Sequence, residues 1–505
     1  MAGVLRSRFA FAPQRFLFAG GVLVVAGILT TSFVPPAKAL PSFARQTGQP
    51  CGTCHTDFPF LTPYGRRFKL LGYTVGGGMF RTTPFPTFPS ANDPRAQTDR
   101  MRLYAKAASS GTAADDDKEY VPPVSMMTIV GYTHTQTPLA PPTDPYKPND
   151  NVILSPFSGF WGGAITDNVG AFAQVTYNAP PAGGFADPFG HTWTWDNTDV
   201  RYARTATVGG MELILGITAN NNPTVQDVWN TTPAWSFPAA ASTIGNSGPS
   251  AKTVIDGAFA AHVVGAGAYA YVNNMFYLEA SAYRTLDFRA QNALGVDPFG
   301  AAGLLDGSAP YWRAALEPQW GDHHLMVGTF GMITSIHNWI DPTFATGTTG
   351  TFALTDKFTD IGFDTQYQYQ GTNYWLTLRG SYIREFQQLD STFSMNGSAN
   401  PTNELRSLRL LGSLSFGADN RIVLTGQYFN AWGTPDPTLY ANVVPDSDGW
   451  IAEVAYIPFG SGKAPGWPWA NARIGVNYTF YNKFNGTSVG ASDNNTLFLH
   501  LWLAM

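Results

Sequence analysis

The residues best placed to do chemistry are the only two cysteines of the chain, Cys51 and Cys54, with His55 directly after them. Cys51-Gly52-Thr53-Cys54-His55 is the C-x-x-C-H pattern of covalent haem attachment. Chemistry sets the spacing. Two thiols form thioethers with the two haem vinyl groups, and the next imidazole then lies under the iron as proximal ligand. Other readings need other surroundings. A redox dithiol works without the histidine, and a zinc site needs about four ligands where the sequence offers no second cluster. A plain disulfide suits an exported chain but ignores the histidine. The expectation is one haem c, held by Cys51 and Cys54, with its iron on His55.

The flanks suggest how that group is packed. Thr62-Pro63 reads as a helix start, with threonine as N-cap and proline in the first turn. Tyr64, Phe68 and Leu71 then recur at helical spacing and would cover a haem face. Arg66, Arg67 and Lys69 fall on the other side, either to pair with haem propionates or to form a solvated basic face. For the distal iron ligand, the segment offers Met79 and Met101, of which Met79 is the nearer candidate. A ligand from the rest of the chain, or an open site, stays an alternative.

Chemistry elsewhere is less marked. His323-His324 beside Asp322 reads as a solvated turn rather than a metal site. Glu279, Asp364 and Glu453 have the hard oxygens that Fe(II) prefers, but ordinary polar lining explains them equally. No catalytic residues of the Ser-His-Asp or Cys-His kind stand out, nor a phosphate-binding glycine loop.

The elements that must position the motif follow from pattern and composition. Arg6, Arg8 and Arg15, then an apolar run from Phe16 to Val34, then Ala37-Lys38-Ala39, predict a signal peptide over 1–39. Residues 40–122 form the haem segment and 123–505 a barrel. Charged residues make up 13%, aromatics 14%, and glycines number 52, while mean hydropathy is only -0.10. A membrane β-barrel accounts for all four, because only alternate strand residues face lipid. The alternation is direct in Ile361, Phe363, Tyr367 and Tyr369, interleaved with Asp364, Gln366 and Gln368. It recurs in Leu497, Leu499, Leu501 and Leu503, with His500 between them. About 16 strands are expected, joined alternately by short turns such as Asn273-Asn274 and by long loops such as 219–254 and 384–403. The fold class is therefore all-β: a transmembrane antiparallel barrel with a small haem segment as plug or periplasmic cap. Counting strand directions back from the C-terminus places that segment on the short-turn, periplasmic side. The net charge of -5 gives no basic footprint for nucleic acid, and with the four cations Arg6, Arg8, Arg15 and Lys38 of the leader removed the mature chain stands at -9, which favours cations in any lumen.

Pro41-Ser42-Phe43-Ala44-Arg45-Gln46-Thr47-Gly48, then C-x-x-C-H-T, then Leu61-Thr62-Pro63-x-Gly65-Arg66-x-Phe68-Lys69-Leu70-x-Gly72-Tyr73, resembles the fused cytochrome–porins. This family includes outer-membrane iron-oxidising cytochromes. The resemblance implies electron uptake. Extracellular Fe(II) would reduce the haem on Cys51, Cys54 and His55, which would pass the electron to a periplasmic cytochrome or copper protein. An Fe(II)-oxidising oxidoreductase in the bacterial outer membrane is the resulting expectation. A conduit for another donor, and a passive porin with a haem-bearing plug, remain the alternatives.

Overall fold

The structure is a computed structural model describing residues 41–47, 49–74, 123–139, 147–177, 192–244, 248–338, 354–458 and 467–505. The expected leader over 1–39 and the methionines Met79 and Met101 lie outside these residues.

Period-two sequences become strands. In chain order these are β1 Val124–Thr135, β2 Asp150–Ala164, β3 Val169–Tyr177 and β4 Trp193–Val208. Next come β5 Met211–Asn220, β6 Val263–Val272, β7 Phe276–Thr285 and β8 Ala309–Leu316. The series continues with β9 His323–His337, β10 Asp356–Gln370, β11 Tyr374–Gln388 and β12 Thr402–Phe416. It ends with β13 Ile422–Gly433, β14 Ser447–Tyr456, β15 Asn471–Lys483 and β16 Thr496–Ala504. The sheet has 18 hydrogen-bonded strands, two of which are the two-residue pieces Leu304–Leu305 and Gln319–Trp320 flanking β8. Sixteen staves result, each antiparallel to its neighbours. The sheet closes where β16 pairs with β1, from Thr496↔Thr135 to Ala504↔Met127. Closure removes the free edges that an open sheet would expose.

Register decides which residues face out. Along β10, Asp356, Asp360, Asp364, Gln366 and Gln368 are buried inside, while Phe363 is 57% exposed outside. On β16 the leucines point out, and Phe498, His500 and Trp502 point in. Outward apolar residues recur around the wall, among them Leu154, Ile217, Leu278, Val327, Leu378, Leu410 and Val454. Exposed aromatics flank this band: Phe276, Trp320, Tyr374 and Tyr456 near the short turns, and Trp193, Phe386 and Trp450 toward the long loops. The short turns have the backbone their residues suit. Asn273 and Asn274 have φ of 50° and 54°, the left-handed pair of a tight hairpin. Gly209 and Gly210 have φ of 59° and 80°.

The core is inside the barrel, and two inserts build it. One is the N-terminal segment: α1 Pro41–Thr47, α2 Cys51–Cys54, a two-stranded ladder of His55–Asp57 with Phe60–Leu61, and α3 Pro63–Leu70. The other is the long connection between β5 and β6, which folds inward. Leu70 and Leu71 of the first insert cluster with Trp229 of the second and with wall residues Tyr269, Tyr277 and Met326. Phe60 and Phe237 likewise meet Leu411 and Ile451.

Candidate functional site

The Cys-Gly-Thr-Cys stretch forms the one-turn helix α2, and His55 follows in extended backbone with φ of -126° and ψ of 134°. Thr62 caps α3 as its sequence predicts: its hydroxyl accepts from the Gly65 amide at 3.1 Å, with Pro63 in the first turn. The same hydroxyl donates to the Thr53 carbonyl at 2.6 Å, and the Thr62 amide donates to the Cys54 carbonyl at 2.9 Å. The cap therefore also fastens α3 to the motif. Gly65 is required by that approach, since a Cβ there would collide with the Cys54 carbonyl oxygen.

Cys51, His55 and Phe58 line a cavity at the short-turn end of the barrel. The wall contributes Met127, Phe160, Trp375, Ile457, Arg473 and Trp502 to the same cavity. The Phe58 ring lies 5.1 Å from the His55 ring and 4.8 Å from Trp502, so plug and wall aromatics join in one row. Burial pushes the Cys54 thiol up to about 12 and the Cys51 thiol up as well. Thiols held protonated make a poor redox dithiol, which works through its thiolate. Burial also pushes the His55 imidazole down to about 4, against the backbone at Pro59 and Phe60, which favours protonation. A neutral imidazole is the form that binds metals. Its Nδ1 is buried without a hydrogen bond of full geometry.

The segment is fixed to the wall by charged and polar bonds. Arg45 donates to the Val124 carbonyl at 2.6 Å, and Gln46 to the Gly162 carbonyl at 2.9 Å. Arg473 of β15 pairs with Asp57 at 2.9 Å and with Glu453 of β14. Tyr73 donates to Asp199 of β4 at 2.6 Å.

Several sequence expectations change here. The basic face of α3 is neither solvated nor turned to the cavity. Arg66 is buried on Glu317, Gln366 and Gln368 of the β8–β10 region, and Arg67 donates to Asn274 at 2.6 Å. Lys69 donates to the Val225 and Asp227 carbonyls at 2.6 and 2.9 Å. The physical reason is that α3 lies inside a polar-lined lumen, so every face meets protein. Tyr64, Phe68 and Leu71 do not line the cavity either. Phe68 packs with Tyr73, beside Phe43 and Tyr64, and Leu71 joins the cluster around Trp229. Arg473 is the cation lining the cavity among the described residues. His323 and His324 begin β9 instead of sitting in a solvated turn. The His323 ring stacks on Trp320 at 5.6 Å, and His324 is buried. Glu279, Asp364 and Glu453 face inward as expected, and each is engaged: Glu279 by Gln226 and Tyr277, Asp364 by Arg313, Glu453 by Arg473. Among the described residues no group of three or more His, Cys, Asp or Glu could hold a metal ion.

What sequence reading missed is the barrel's share of the cavity. Inward parity on β1, β11 and β16 singles out Met127, Trp375 and Trp502 as lumen residues, but not as neighbours of one another.

Solved barrels offer a comparison. Salmonella typhi OmpF, in a complex with daunomycin, matches with 12% identity and a TM-score of 0.42 over 76% of this chain and 97% of its own. Pseudomonas putida OprB matches with 10% identity and a TM-score of 0.39 over 75% and 93%. A further porin matches with 10% identity and a TM-score of 0.37 over 76% and 99%. No family model matches the sequence, and no curated protein does.

Proposed function

We propose that this chain is an outer-membrane electron-transfer protein with one haem c on Cys51, Cys54 and His55. On this reading it takes electrons from Fe(II) outside the cell and delivers them to a periplasmic cytochrome or copper protein. The observation carrying the reading is the C-x-x-C-H motif at an aromatic-walled cavity inside a barrel whose lumen is filled by protein. The outward apolar band between aromatic rims, with short turns at one end and long loops at the other, supports the membrane placement. Short turns belong to the periplasmic rim, so the cavity faces the periplasm. Export through a leader over 1–39 belongs to the same reading.

The residues present suit a haem. Phe160, Trp375, Ile457 and Trp502 supply apolar walls, and His55 supplies a neutral imidazole. A haem in this place supplies one-electron exchange between ferrous and ferric iron. The chain's own residues do the rest. Cys51 and Cys54 hold the group covalently, so it stays through each turnover. Phe58 and Trp502, in ring contact beside His55, would help keep water from the group. The Asp57–Arg473–Glu453 bridge holds the motif-bearing ladder to β14 and β15. A short-turn opening offers a periplasmic carrier direct access, and the net charge of -9 left once the leader's four cations are gone favours cation approach from outside. Iron as donor comes from the resemblance of residues 41–73 to the cytochrome–porins.

The test is anaerobic mixing of the oxidised, purified protein with Fe(II), following the haem spectrum. Rapid full reduction supports iron oxidation. Haem that dithionite reduces but Fe(II) leaves untouched across pH points to another donor. Absence of covalent haem refutes the electron-transfer reading as a whole.

A further inference from the structure

We propose that Met127, on strand β1 of the barrel wall, is the distal ligand of the iron; this rests on the haem reading above. The lining of the cavity narrows the choice. Besides the attachment residues Cys51 and His55, the described side chains there with lone pairs to offer iron are Thr56, whose neutral hydroxyl is a hard and weak ligand, Asp57, Met127, Asn420 and Asn471. Asp57 is committed to Arg473, with bonds of 2.9 and 3.2 Å. Carboxamide oxygens are hard ligands, better suited to magnesium, calcium or manganese than to haem iron. The Met127 thioether is soft and neutral, and His/Met is an established pairing in haem proteins that raises the potential.

Three further observations place Met127 in that role. Its side chain faces the lumen, in step with the buried neighbours Ser125 and Ile129. It packs with the cluster that contains Trp502 and touches Phe58, whose ring adjoins His55. The pairing of β1 with β2 also shifts register between Thr128 and Val130, immediately after Met127. Such bulges re-aim a side chain and are enriched beside functional sites. The spacing between plug and wall is secured independently. The Ser42 amide donates to the Ser125 hydroxyl at 3.2 Å, and Arg45 holds the Val124 carbonyl at the start of the same strand. Bond formation needs no other reagent: one sulfur lone pair fills one empty iron position. The iron then links the plug to the wall, so the haem is a structural tie as well as a redox centre.

The experiment uses the full-length haem protein in detergent. A pyridine haemochrome assay first reports covalent haem; its absence would overturn the underlying reading and this proposal together. With haem present, the ferric wild type shows the weak near-infrared sulfur-to-iron band. Met127→Leu loses that band, binds cyanide or imidazole faster, and has a lowered midpoint potential. Met127→His, which keeps the side-chain position filled, gives a low-spin bis-imidazole spectrum. Met79→Leu leaves the band intact. A Met127→Leu spectrum identical to wild type, or loss of the band in Met79→Leu, overturns the assignment while leaving the haem reading standing.

Discussion

At the scale of single residues, the motif's chemistry is set by burial as much as by residue type. The thiols of Cys51 and Cys54 are held protonated, and their expected role is as thioether anchors. Replacing both by serine removes all haem that survives denaturing electrophoresis, as read by in-gel peroxidase staining. Haem retained by that variant would show that attachment runs through other groups. Lys69 illustrates a second consequence of burial. Desolvation lowers its ammonium to about 7, with the nearby Arg201 charge acting in the same direction. In an unfolded chain a lysine holds its proton to about 10.4. Between these values the unfolded chain binds more protons, so stability rises with pH from about 7 to about 10. Below about 7 the penalty of the buried charge is present in full. Thermal melts across this window should shift upward with pH, and Lys69→Met should flatten the trend.

At the scale of elements, the inward-folded connection between β5 and β6 is the part that parity and composition least reveal. Its Asp227 lies 3.3 Å from Arg313 of β8, which also reaches Asp364 of β10 at 2.7 Å. Trp229 donates to Glu317 at 3.1 Å and Gln226 to Glu279 at 2.9 Å. These side chains turn a long outer loop into a lumen plug, because each buried carboxylate needs a partner that the loop supplies. Arg313→Met leaves Asp227 and Asp364 facing each other without the guanidinium between them. The expected cost is about 3–5 kcal/mol of plug stability, as for other broken buried pairs. Urea unfolding followed by tryptophan emission checks this; an unchanged midpoint would show that the pair does not hold the loop.

At the scale of the whole molecule, a sixteen-stave barrel is wide enough for a lumen, and here two inserts occupy it. Removing residues 41–74 should therefore raise single-channel conductance in planar bilayers well above that of the full chain. Equal conductance would mean that ions bypass the N-terminal segment. The membrane face yields a separate test. Phe363, at the middle of β10 and exposed outward, should cost about 2–4 kcal/mol when replaced by arginine, measured by reversible folding into lipid vesicles.

The sequence by itself determined what depends on local period and local valence. Alternation in β10 and β16 determined strand faces, because a pleated strand turns each successive side chain to the opposite side. Asn273-Asn274 and Gly209-Gly210 determined the tight turns, because those residues accept positive φ. Cys51, Cys54 and His55 determined the candidate chemistry through spacing alone, and Thr62-Pro63 the start of α3. Only the tertiary structure decided where long-range partners fall. Arg66, Arg67 and Lys69 look like a solvated face until the helix is placed inside a closed barrel, where Glu317, β10, the β6–β7 turn and the β5–β6 connection supply what water would have supplied. Met127 and Asp57 are 70 residues apart in number yet line one cavity, because barrel closure brings β1 and β16 together beside the N-terminal segment. Such neighbours come from closure of the sheet, a global condition that no local window of sequence encodes.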